Sequence, residues 1–198
     1  MSGFESTLRI DPTATISRHA TIAAPGVIEA NVLVGPNVYI EGGVLLMAGS
    51  TVCRNEVMKT SSNGRQLENN VSVGPGVRLH DEVEIGAGAV IPSQDCIAHI
   101  GSFGTKNRVI TVYGSELGPR FSLGCHIGVD YEYMSWQIKV ANHSSSDSAA
   151  SYRPYLGVFA AIGETVQRAY RHEKKLIKEI EKRRIDCGLP VAVHSALQ

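Results

Sequence analysis

Aromatic side chains are scarce in this chain of 198 residues: they make up 6% of it, with a single tryptophan. An excess of charge of either sign is lacking too, since 19 Lys plus Arg stand against 19 Asp plus Glu. A zero net charge excludes a general binder of nucleic-acid polymers or anionic membranes and leaves room only for a local basic patch. No apolar run approaches the ~18 residues of a membrane span, so no membrane partner is expected. The four cysteines (Cys53, Cys96, Cys125, Cys187) form no CxxC pair. That pattern fits reduced thiols rather than a disulfide framework or a zinc site. The opening MSGFESTLRIDP has no basic stretch leading into an apolar one. A secretory signal is therefore not expected, a cytoplasmic location is, and the sequons at Asn70 and Asn142 carry no weight.

What is present is a balance of 43% hydrophobic and 19% charged residues, which excludes a disordered chain, together with 20 glycines and plentiful Val and Ile. This is the composition of a turn-rich β protein, of a length for one domain with or without an appendage. An aliphatic residue recurs every six positions at Ile16, Ile22, Ile28, Val34, Ile40, Leu46 and Val52, and loosely at Met58. The phase breaks across KTSSNGRQLENN and resumes at Val73, Leu79, Ile85, Ile91 and Ile97, with Phe103 and Val109 in step. Four residues after most anchors stands a small or β-branched residue, as at Val32, Val38, Val44, Ser50 and Val77. Neither a helix nor an ordinary strand sustains a period of six. A solenoid does: each hexad supplies a short strand and a corner, three hexads close one coil, and coils stack about 4.8 Å apart. Each inward aliphatic contributes roughly 1.5–3 kcal/mol on full burial.

This pattern, an aliphatic anchor followed by Gly, Ala or Glu and then a small residue, resembles the hexapeptide repeat of the left-handed parallel β-helix shared by many acyltransferases. The resemblance covers about residues 12–108 and implies a mainly β protein with five to six coils and a loop excursion over 58–70. The left-handed sense comes from the resemblance alone, because parallel crossovers are otherwise right-handed. The family is usually a homotrimer with its sites between subunits. The same solenoid also serves carbonic anhydrases and inert scaffolds.

Two places carry candidate chemistry. The excursion offers Lys59, Asn63, Arg65 and Glu68, but not the histidine that the xenobiotic acetyltransferase branch carries in such a loop; Asn63, Arg65 and the corner residue His80 are the candidate substrate contacts. The end of the solenoid, with Asp95 and then Gly104-Thr105-Lys106, is similar to the closing stretch of hexapeptide acetyltransferases, although the prolines of that stretch are missing. The resemblance implies that Gly104, Thr105 and Lys106 line a coenzyme A site, with Lys106 a compact charge against a phosphate. Ile97-Ala98-His99 resembles the Ile-Ala-His segment of the acyltransferase acting on UDP-N-acetylglucosamine, which makes His99 the candidate general base. A capping role for His99 is the alternative. No metal is expected: His80, His99 and His126 lie 19 and 27 residues apart, unlike the histidine pair of the gamma-class carbonic anhydrases.

Beyond residue 108 the period fades. A β-hairpin and a short helix capped by Asp130 are expected over 109–140, a polar linker over 141–154, and a long helix over 155–187. Leu156, Phe159, Ile162, Val166 and Ala169 share one face of that helix, and its final half holds eight basic residues between Arg168 and Arg184. They read as a solvated face or an anion- or partner-docking surface. The stretch from Gly101 to Gly128 resembles a small module of uncharacterised bacterial and phage-encoded proteins. Within it Cys125 and His126 are poorly arranged for Cys-His catalysis, since consecutive strand side chains point to opposite faces. Two functions follow as expectations. One is acyl transfer from acetyl-CoA or another acyl-CoA to a small acceptor; the other is non-catalytic binding of a nucleotide-like molecule by a trimer, encoded by a phage or mobile element.

Overall fold

The computed structural model describes residues 7–52, 65–79, 83–103, 108–123, 126–140 and 152–190, the side chains of 65–66, 102–103 and 108 excepted. Its first half is a parallel β-solenoid of about four turns, mainly β as the repeat requires. Three sheets form its walls. Sheet A stacks Leu8–Ile10, Gly26–Ile28, Val44–Leu46, Ser72–Val73 and Val90–Ile91; sheet B stacks Thr15–Ile16, Leu33–Val34, Thr51–Val52 and Arg78–Leu79; sheet C stacks Thr21–Ile22, Tyr39–Ile40 and Arg65–Leu67. Ile16 lies under Val34 and Val34 under Val52, as the period dictates. The anchors and the residues four after them fill one aliphatic core from Ile28 to Ile97. Both point inward because they are two residues apart across each strand, on the same side of the pleat.

Two details depart from the hexad count. Ile40 pairs with Leu67, Leu46 with Val73 and Val52 with Leu79, so 27 residues rather than 18 separate these partners. Nine extra residues therefore leave the solenoid after Val52. The chain returns at Arg65 and not beyond residue 70, and fully buried Leu67 fills the anchor position above Ile40. The turns are also fewer than five to six. Ile97 and Val109 keep the six-residue phase but belong to the antiparallel strands Ile97–Phe103 and Arg108–Tyr113. Six is a multiple of two, so residues six apart share a face in any straight strand, and the period alone does not separate a coil from the sheet that follows it.

Those two strands, with Arg120–Leu123 and His126–Val129, form a four-stranded antiparallel sheet D rather than a lone hairpin. One face closes the end of the solenoid: the Gly86 N–H donates to Tyr113 Oη (2.9 Å), the Glu84 N–H donates to Thr111 Oγ1 (3.2 Å), and Ile97 completes the solenoid core. The other face carries Ile110, Val112 and Phe121 into a second core against the helices. Helix α1 (Tyr131–Val140) starts as expected, with Asp130 Oδ1 accepting the Tyr133 N–H at 2.7 Å.

The expected single C-terminal helix is two, α2 (Leu156–His172) and α3 (Lys174–Asp186), broken at Glu173. The break lets each half cover a different surface. Phe159 and Val166 of α2 pack on sheet D, whereas Ile180 of α3 packs on the outer face of sheet A beside Val27, Leu45 and Val90. The helix thus covers its own solenoid, held by the Arg183–Glu29 ion pair (2.7 Å), by Arg9 donating to the Cys187 carbonyl, and by buried Arg184. Arg183 and Arg184 leave the basic face read from the sequence; Lys174, Lys178 and Lys182 remain exposed on it. Among the described residues no helix is long and apolar enough to cross a membrane.

Candidate functional site

Where sheet D closes the solenoid, the two do not meet everywhere. A half-open cleft of about 130 Å³ lies between the last corner, Gly86–Ala89, and the far end of sheet D, where Tyr113, Arg120 and Gly128 line it. Glycine lets the two bodies approach: a Cβ on Gly128, whose φ is +68°, would stand 2.8 Å from Tyr113 Oη and 3.3 Å from the Gly86 Cα. The hydroxyls of Tyr113 and Ser122 are hydrogen-bonded, and Ser122 Oγ accepts the Gly128 N–H at 3.0 Å. This chain of polar contacts links the last coil to three strands of the sheet.

The remaining wall is fixed from α2. Gln167 is buried and mimics a strand partner for Ser115: its Oε1 accepts the Ser115 N–H (3.0 Å) and its Nε2 donates to the Ser115 carbonyl (2.7 Å). That grip holds the Ser115–Gly118 turn, and with it Leu117 at the cleft mouth. Arg120 sits opposite Tyr113 in the strand register and is half-buried. Across the cleft, Glu68 Oε2 accepts the Ala87 N–H at 2.9 Å. Among the described residues the ion pairs are Arg183–Glu29 and Lys175–Glu179, so Arg120 and Glu68 face one cleft unpaired.

Burial pushes the Tyr113 phenol up to about 12; the Gly86 N–H opposes the rise, Glu68 adds to it, and Arg120 opposes it. Tyr170 is pushed up as well, chiefly by burial. In a 295 nm absorbance titration of the folded protein, these two should ionise above the ordinary phenol value of about 10. Tyr113→Phe should remove part of the late phase; loss of none of it would show that Tyr113 is not enclosed. The unfolded chain gives up this proton first, so the group's contribution to stability is complete below about pH 10 and lost as pH rises to about 12.

The sequence-read candidates fare unequally. His99 lies in the Ile97–Phe103 strand opposite Thr111, half-buried and not among the residues lining the cleft. Arg65 has its backbone in sheet C, opposite Tyr39. Asn63, His80, Gly104, Thr105, Lys106 and Cys125 lie outside the described residues. Among the described residues of 65–70, Glu68 is the one that lines the cleft. Arg120, Tyr113, Ser115 and the Gly86–Gly88 corner were not singled out as site residues; Arg120, the one charge in the strand RFSL, was the available signal. Among the described residues no group of three or more His, Cys, Asp or Glu is placed to hold a metal ion.

Fold and site together define a β-solenoid closed at one end by an antiparallel sheet, with a small charged cleft at the junction. No protein-family model matches the chain, and no curated protein or solved structure matches it.

Proposed function

We propose that the protein is a small-molecule binder whose ligand places an anionic group on Arg120 in the cleft between the last coil and sheet D. The observation that carries this reading is a half-buried guanidinium with no ion-pair partner among the described residues, in a concave site whose walls are pinned by buried hydrogen bonds. A guanidinium presents a fork of donors that matches carboxylate and phosphate. The cleft volume is close to the ~150 Å³ of a cavity that takes up benzene, so it suits a ligand, or a ligand headgroup, of about six heavy atoms. A nucleotide would enter by one phosphate and remain largely outside.

The test is a thermal-shift screen with phosphate, acetate, linear and cyclic nucleotides, CoA and acetyl-CoA. A ligand at about 100 times its Kd adds about 2.7 kcal/mol of stability and raises Tm by several degrees. Arg120→Met should abolish that rise. A shift that survives Arg120→Met, or no Arg120-dependent binding by any ligand that carries an anionic group, overturns the reading.

A second reading is acyl transfer from acetyl-CoA, with His99 as general base and Lys106 on a CoA phosphate. The hexad resemblance favours it, and a left-handed coil, a homotrimer with sites at subunit interfaces and a cytoplasmic location belong to the same reading. A shift with acetyl-CoA that exceeds any nucleotide's and persists in Arg120→Met would favour it, as would turnover lost in both His99→Ala and Lys106→Ala.

A further inference from the structure

We infer that the cleft takes a small zwitterion of the amino-acid type, its anionic end on Arg120 and its ammonium on Glu68. This rests on the binding reading above and names the class of ligand.

Glu29 and Glu68 each follow an anchor, Ile28 and Leu67, and each caps the corner of the next coil. Glu29 Oε2 accepts the Ala48 N–H at 3.2 Å and Glu68 Oε2 accepts the Ala87 N–H at 2.9 Å, each from a residue 19 positions on. In both cases one carboxylate oxygen is committed to the corner. At Glu29 the protein supplies a cation for the other: Arg183 Nε donates to Oε1 at 2.7 Å. At Glu68 no described residue does so, and the open space beside it is the cleft.

Arg120 is the one cation among the described residues that line that space, and it forms no ion pair with Glu68. Its backbone is fixed in sheet D opposite Tyr113, whereas Glu68 is fixed on the solenoid corner. Both act on the Tyr113 phenol, in opposite senses, so both lie within electrostatic reach of one point on the cleft wall. Two unpaired charges of opposite sign across a pinned gap leave a dipolar slot. A ligand with an ammonium and a carboxylate (or phosphonate or sulfonate) satisfies both at once, and its own charges replace the water that each side chain loses. A simple anion leaves Glu68 beside it, a like charge; a simple amine leaves Arg120 beside it. The volume for about six heavy atoms matches a compact zwitterion such as alanine. Leu117 and Ile127 provide apolar contact for a short side chain.

The experiment is isothermal calorimetry at pH 7 with alanine, β-alanine and taurine against propionate and propylamine, on the native chain, Glu68→Gln and Arg120→Met. Glutamine keeps an acceptor for the Ala87 N–H, and an unchanged Tm without ligand confirms that the corner stands. At least one zwitterion should bind tenfold or more tighter than propionate and propylamine. Glu68→Gln should remove that tenfold advantage while leaving propionate unaffected or improved, and Arg120→Met should abolish binding. Raising the pH past the ligand's ammonium pKa should weaken the zwitterion toward the level of propionate. Propionate matching the best zwitterion, or zwitterion affinity unchanged in Glu68→Gln, overturns this inference and leaves the anion-binding reading standing. Absence of any Arg120-dependent binding across these ligands and the earlier anion screen removes both.

Discussion

Replacing Arg184 by alanine is expected to cost about 3–5 kcal/mol of stability, from the cavity left by a large buried side chain and from buried neutral acceptors that lose their donor at roughly 1–3 kcal/mol each. The residue is 0% exposed. Its guanidinium donates to Ser72 Oγ (2.8 Å), the Gly43 carbonyl (2.8 Å) and the Pro190 carbonyl (2.7 Å), and more weakly to the Val71 carbonyl (3.4 Å). These acceptors come from the corner before one coil, the strand of the next, and the segment after α3, so a single side chain ties all three together. Burial lowers its pKa to about 10, which still leaves it charged at neutral pH. Truncation leaves a cavity and several buried acceptors unsatisfied. Urea denaturation measures the loss, and a change below about 1 kcal/mol would show that α3 does not depend on this anchor. The double variant Arg184→Met with Ser72→Val should recover part of the loss, because it removes donor and acceptor together and fills the space.

The second large effect contrasts two leucines at one repeat position. Leu33 and Leu45 each immediately precede an anchor, Val34 and Leu46, and each points out of the solenoid. Leu33, on sheet B, is 41% exposed; Leu45, on sheet A, is 0% exposed, packed with Ile180 and Leu189. Leu45→Asp forfeits roughly 1.5–3 kcal/mol of burial and also places a carboxylate against apolar walls. Together these are expected to reach about 5 kcal/mol, enough to threaten a fold of ordinary stability. Leu33→Asp should stay within about 0.5 kcal/mol. Equal effects in denaturation would mean that sheet B is covered too, by another subunit.

The solenoid was legible because its physics is local and repeated. An aliphatic side chain every six residues, with a small partner four positions on, leaves no other way to bury so many anchors. The excursion was legible as a break in phase, but its end was misplaced. Leu67 lies six before Val73 and is in step, yet an isolated anchor inside RQLENN does not announce itself. Sheet D was half legible: its hairpin signals were clear, whereas Ile97–Phe103 carried the solenoid's phase into a strand of different topology. The cleft was legible only as Glu68, one residue of a loop read for other chemistry. Its counterpart Arg120 is 52 positions away, and nothing local to either marks them as facing one another.

The sequence alone determined the coil, its inward residues and its corners, because each depends on neighbours six or eighteen residues away in a fixed pattern. It also determined the Asp130 cap and the apolar face of α2. Only the tertiary structure decided which outward face the C-terminal helix covers, why Ser72 and Arg184 stand where apolar residues otherwise would, and that Glu68 and Arg120 share a cleft. Those pairings join segments 50 to more than 110 residues apart and exist only where sheet D and α3 lie against the solenoid. A repeat specifies its own stacking; it does not specify what is laid against it.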